Sequence, residues 1–261
     1  MVWSRNRTSR AQSGQAAVET ALTLPLTIFL ILGTMQFFLL LQARVMTQYA
    51  AFNAVRTGSV KHGDCQAMTH AAIASLLPTF ARTDSPETLG AAFRLHQDNF
   101  YHPPQDRGRT GAIVWITRER PLASDLRANE EESFDDVNRY GDMGDVMRLE
   151  SRVVFWFPLR IPFADWVLSR MFLAQLGLRE FNSLNPLMPT RAAGWSTKGA
   201  GGGTAEGRGG LDQAVSAELV ERIRRHEYVF PLQATYSMRM MTPARSTYFE
   251  TQNCAPTPES L

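Results

Sequence analysis

The sequence predicts an α+β protein: a long, membrane-crossing N-terminal helix, then a small domain with an antiparallel sheet of about three strands and flanking helices. Two observations carry this. From Thr20 to Ala43 no residue is charged, and most are Leu, Ile, Phe, Ala, Met or Thr. Much later, Leu232, Ala234, Tyr236, Met238 and Met240 alternate with Gln233, Thr235, Ser237 and Arg239. That period belongs to a strand with one face buried and one solvated, as antiparallel sheets commonly have.

The N-terminal run sets the class. At about 1.5 Å per residue it makes a helix of about 36 Å, enough to cross a hydrocarbon core of about 30 Å. A secretory signal peptide is the alternative, but its apolar core is about 7–15 residues long and ends at a small-x-small site. Here the run is longer and passes through Met35, Gln36 and Phe37–Phe38 straight into a helical pattern. Arg5, Arg7 and Arg10 precede the run with no acid among residues 1–14, which favours a cytoplasmic N-terminus, while Arg44, Arg56 and Lys61 beyond it weaken the contrast. Pro25 lacks an N–H and is expected to bend or loosen the helix. Glu19, at the start of the apolar stretch, has two readings: a headgroup-level residue, favoured on the residues alone, or an intramembrane acid with a function.

Past the span, Val45, Tyr49, Phe52 and Val55 recur at spacings of three and four, an apolar stripe suited to packing on the exported domain. Gly58 and Gly63 offer helix endings. The chain then divides into a basic leader (1–14), the transmembrane and extended helix (15–62), and the exported domain (63–261). Residues 66–80 and 86–98 read as short helices, the second with Pro86 in its first turn. Residues 111–117 and 149–157 are β-branched and aromatic, hence strands. Residues 163–177 and 211–226 carry helical patterns, the latter with Leu211, Val215, Leu219 and Ile223 at four-residue steps. The glycine-rich stretch 197–210 reads as a flexible linker.

Composition excludes little but directs much. With 44% hydrophobic and 20% charged residues, most of the 261-residue chain is expected to fold in water. A net charge of +2 without a clustered basic face gives no case for nucleic acid. Cys65 and Cys254 are not in a Cys-x-x-Cys pair, and two cysteines cannot build a zinc site alone. They either form one disulfide closing most of the exported domain or stand as two thiols.

Motifs of chemistry are missing from the sequence. Glu130–Glu132 with Asp135 and Asp136 lacks the spacing of a calcium loop and reads as a solvated run. His62, His70, His96, His102 and His226 have no ligand spacing and read as surface residues. The stretch 199–210 has no Gly-Lys-Ser/Thr ending and misses the Gly-x-Gly-x-x-Gly register, and no Gly-x-Ser-x-Gly elbow occurs. An enzyme, a cofactor and a small-molecule substrate are therefore not expected. Phe155, Trp156, Phe157, Phe163, Trp166 and Phe172 read mainly as core, with a membrane- or subunit-facing patch as the alternative.

The stretch SGQAAVETALTLPLTIFLILGTMQFF resembles the N-terminus of TadE-like proteins, the pseudopilins of tight-adherence (Flp-type) pilus systems. A basic leader ending in Gly14, an Ala-Ala-Val-Glu run, Leu24–Pro25 and a long apolar helix match together, although Thr20 stands where relatives more often have an aromatic residue. Shorter likenesses follow in ARVMTQYAAFNAVRTGSV, LESRVVFWFPLRIPF and YVFPLQATYSMRMM. The resemblance implies a pilin-like helix and cleavage by a prepilin peptidase between Gly14 and Gln15. Glu19 then becomes the fifth mature residue and acts in assembly. It also implies a bacterial inner-membrane location with the C-terminal domain periplasmic, and partners among other pseudopilins and the pilus-assembly platform. The chemistry fits: glycine leaves the peptidase room at the backbone, and a new ammonium on Gln15 can neutralise a Glu19 carboxylate in a low-dielectric bundle. An uncleaved anchored module of an envelope or secretion complex is the alternative.

Overall fold

A computed structural model describes residues 9–123, 126, 147–175, 212–258 and 261, with the backbone alone at 9–15 and 175. The acidic run at 130–136, the glycine-rich stretch 197–210, Leu211 and most of the leader lie outside the described residues.

Helix α1 runs from Ser9 to Val60 and continues through Pro25. It ends where His62 (φ 57°) and Gly63 (φ 85°) turn left-handed, and the Gly63 N–H reaches back to the Gly58 carbonyl at 2.8 Å. Gly63 thus closes the helix. Gly58 does not: it sits inside α1, where an added Cβ would lie 2.6 Å from Leu149 Cδ2 and 2.7 Å from Met68 Sδ, so it marks a close approach of elements.

Helix α2 (Cys65–Phe80) starts on Asp64, whose carboxylate accepts the N–H groups of Gln66 and Ala67. Helix α3 (Pro86–His96) opens on a reciprocal cap between Ser85 and Thr88. Strand β1 (Val114–Arg120) starts three residues later than its β-branched pattern suggests, because Gly111–Ile113 bond instead to Asn99 and Tyr101. Asn99 fixes that turn by accepting the Val114 N–H and donating to the Val114 carbonyl. Strand β2 (Arg148–Pro158), helix α4 (Ala164–Gln175), helix α5 (Gln213–Arg224), strand β3 (Val229–Arg239) and the two-residue β4 (Asn253–Cys254) complete the order.

Among the described residues four strands form one antiparallel sheet, β3-β2-β1-β4. Alternation along β2 sends Val153, Phe155 and Phe157 into one core with α1 and α2, and Val154 and Trp156 into a second with α5. Along β3 the expected alternation holds for Leu232 and Ala234, buried, against Thr235, Ser237 and Arg239, exposed, but not for Tyr236, which is exposed and set edge-on to Phe52. On β2, by contrast, α5 covers the far side, and the strand is buried on both faces over Val153–Pro158.

Candidate functional site

Helix α1 has two halves with opposite surroundings. From Ala16 to Leu30 every side chain but Phe29 is exposed, including Leu22, Leu24 and Leu26. Large apolar groups exposed around a whole helix are tolerated in lipid and not in water, and α1 is long and apolar enough to cross a membrane. From Ala43 outward one face is sealed into the core by small residues: Ala43, Thr47, Ala50, Ala51 and Ala54 are fully buried.

This reverses the role of the apolar stripe. Val45 (64% exposed) and Tyr49 (52%) point away from the domain, Phe52 is half-buried, and only Val55 is buried. The domain takes the alanine face because short side chains let α2 and the sheet approach the backbone, gaining dispersion contacts that a bulky ridge would prevent. Phe37, Leu41, Val45 and Tyr49, at four-residue steps, form an apolar ridge left uncovered on the outer face.

Gly14 and Gln15 lie within the helical backbone of α1. Glu19 is exposed on the first described turns, and its carbonyl accepts the Thr23 hydroxyl at 2.8 Å. Between the exposed run and the alanine face, one polar side chain is buried among the described residues. Gln36 is fully buried, and its Oε1 accepts the N–H groups of Arg160 and Ile161. A lone amide within an apolar run is the signal that marks it in sequence.

Cys65, the first residue of α2, is bonded to Cys254 in β4 across 189 residues of chain. Cys254 pairs with Ile116, so the bond joins the sheet edge to the start of α2. Arg118 reinforces the same corner: it donates to the carbonyls of Gly63 and Thr251 and lies 4.2 Å from the Phe249 ring centroid. Burial pulls its guanidinium down to about 10, against the pull of the Asp64 carboxylate, so it stays charged at neutral pH.

Residues 14–56 match the model of the TadE-like protein family. The N-terminal segment is TadE-like. No curated protein and no solved structure matches the chain. The match starts at Gly14, contains Glu19, Pro25 and Gln36, and ends at Arg56, inside α1. It therefore spans the exposed apolar run, the uncovered ridge and the buried face from Ala43 to Ala54. Together, the largely apolar run Ala16–Leu30, exposed around the helix at every side chain but Phe29, and the TadE-like match make α1 a membrane anchor.

Outside the TadE-like segment several polar groups are buried and paired with one another. His96 is buried, correcting the expectation of a surface residue. Its Nδ1 faces the Ala92 carbonyl and its Nε2 the Asp106 carboxylate, both at 2.9 Å. Two acceptors call for two ring hydrogens, so the geometry selects the imidazolium. Burial works to lower its pKa, but the Asp106 hydrogen bond and charge outweigh it and the net shift is upward. For Asp106 burial works upward, yet His96 and the His102 N–H hold it below its usual value. Arg222 is buried between Trp156 and the bare Cα of Gly111, paired with Glu218 at 2.7 Å. Burial lowers its pKa and Glu218 opposes that. Burial also raises the Tyr101 phenol, which donates to the Trp156 carbonyl.

Among the described residues no group of three His, Cys, Asp or Glu side chains is arranged to hold a metal ion. Of the six aromatic residues taken mainly as core, Phe155, Trp156 and Phe157 are buried and Phe172 is half-buried, whereas Phe163 and Trp166 are exposed.

Proposed function

We propose that this chain is a minor pseudopilin-like subunit of a tight-adherence (Flp-type) pilus, or of a related secretion system, acting in assembly through α1. The carrying observation is that a TadE-like helix presents an uncovered apolar ridge, Phe37–Leu41–Val45–Tyr49, beyond its lipid-exposed half. A second apolar helix is the natural cover for such a ridge, because water is not. Other pseudopilins and the assembly platform are the proposed partners, in the bacterial inner membrane. Nucleic acid, small-molecule substrate and catalysis have no part in it.

The N-terminus lies in the cytoplasm and the C-terminal domain in the periplasm. Arg5, Arg7 and Arg10 support that orientation, and the Cys65–Cys254 bond supports an oxidising compartment. Prepilin peptidase cuts after Gly14, and the Gln15 ammonium neutralises Glu19, its own or a neighbour's. The helical backbone at Gly14 and Gln15 favours a second reading, an uncleaved module of an envelope or secretion complex, since a peptidase needs that backbone extended. Mass spectrometry of the protein from cells with and without the peptidase separates them. A peptidase-dependent start at Gln15 supports the first, and a start at Met1 in both strains selects the second. Glu19→Ala is expected to abolish assembly while leaving the chain in the membrane; intact assembly would remove Glu19 from the mechanism.

A further inference from the structure

Helix α4 sits at the membrane end of the domain. The β2 strand ends at Pro158, and the chain turns through Arg160 and Ile161, whose N–H groups bond Gln36 of α1. Two residues later the ring of Phe163 meets Phe29 edge-on, 5.8 Å between centroids. Phe29 lies seven positions before Gln36, about 10 Å further along α1 toward the N-terminus and close to the middle of the uncharged run Thr20–Ala43. Arg160, beside Gln36, is exposed, and its Nη1 donates to the Thr79 carbonyl. Between Arg160 and Phe163 the chain thus descends along α1 within the length of the apolar run. Phe163 does so at a positive φ of 70°, a backbone conformation that non-glycine residues seldom adopt.

What α4 turns outward there is apolar. Phe163 is 54% exposed, Trp166 46% and Met171 61%. The far stripe is anchored: Leu168 packs on the main core and Phe172 lies 4.6 Å from Phe230, while Ala164 and Leu173 at the flanks are buried. A helix held to its domain by one apolar face and showing a second apolar face is not built for water on that side. Arg170 is exposed within this face, and its long stem can carry the charge toward the headgroups.

We infer that α4 and the turn before it form a second membrane contact: Phe163, Trp166 and Met171 insert into the leaflet on the domain's side of the bilayer, next to α1. The occupant is lipid rather than protein because the patch is continuous, through Phe163 and Phe29, with the helix surface already in the bilayer. The inference rests on α1 spanning the membrane, and not on the pilus assignment.

The test uses the full chain in lipid nanodiscs, comparing wild type with Trp166→Phe, a substitution that keeps the face apolar. Subtracting the two emission spectra isolates Trp166 from the other four tryptophans. In discs of lipid brominated on the upper acyl chain, the difference spectrum is expected to fall by about half or more and to resist aqueous iodide, as for a side chain at the interface. A difference spectrum untouched by bromolipid overturns the inference, whether iodide quenches it (a face in water) or not (a face covered by protein). Retention of the wild-type chain in the discs reports separately on α1.

Discussion

Gln36 Oε1 accepts the backbone N–H of Ile161 at 3.0 Å, tying the anchor helix to the turn that leads into α4. The Arg160 N–H shares the same oxygen at 3.1 Å. Replacing Gln36 with Leu removes the acceptor for two donors. Each buried donor left unpaired costs about 1–3 kcal/mol, so Gln36→Leu should lower the unfolding midpoint in detergent. An unchanged midpoint would show that the two bonds contribute nothing.

The Cys65–Cys254 bond joins positions 189 apart. A cross-link over so long a loop stabilises mainly by restricting the unfolded chain, by about 2–5 kcal/mol. The Cys65→Ser/Cys254→Ser protein should lose that much in denaturant titrations. Reducing agent should bring wild type down to the same midpoint and leave the double variant unmoved.

The His96–Asp106 pair gives stability a pH dependence whose sign follows from the two shifts. His96 is raised above its usual 6.5, so its contribution is complete below that value and is lost as pH climbs through the raised pKa. Asp106 is depressed below its usual 3.8, so its contribution is present above that value and is lost as pH falls through the lowered pKa. The pair therefore contributes most between about pH 4 and 6.5. Melting temperatures should fall as pH rises from 6 to 8 in wild type, and the slope should flatten in Asp106→Asn. A wild-type profile as flat as the variant's would contradict a charged His96.

Gly63 and Gly58 should respond differently to alanine. At Gly63 a Cβ would stand 2.4 Å from the Phe249 ring, on a backbone with φ of 85°, so neither space nor conformation permits it. At Gly58 the obstacles are the mobile ends of Leu149 and Met68, and alanine favours the helix by about 1 kcal/mol. Overpacking of about 1–3 kcal/mol is then partly offset. Denaturation curves should rank Gly63→Ala as the more damaging substitution.

The anchor was legible in sequence because lipid imposes a simple rule: a long run of uncharged residues. The caps at Asp64 and Ser85 came only with the structure. The strands at 149–157 and 231–241 and the helix at 86–98 were legible through β-branched and aromatic content, the two-residue period and the first-turn Pro86. Which face of α1 meets the domain was not. The bulky ridge of Val45 and Tyr49 looked like the buried side, yet close approach favoured the alanines. Hydrophobicity alone cannot separate a face packed tightly on its own domain from one left for another surface. His96 was missed for a related reason. Its partners Ala92 and Asp106 come together only through the α3 turn, and neither stands at a ligand-like spacing.

Helix α1 runs as one rod from Ser9 to Val60, and its upper half is part of the same core as β2 and β3. A stroke of one helical turn above Pro25, about 5.4 Å, would reach the sheet directly through the alanine face that α1 buries in the domain. Any machine that grips the rod inside the bilayer thereby steers a surface on the far side of it.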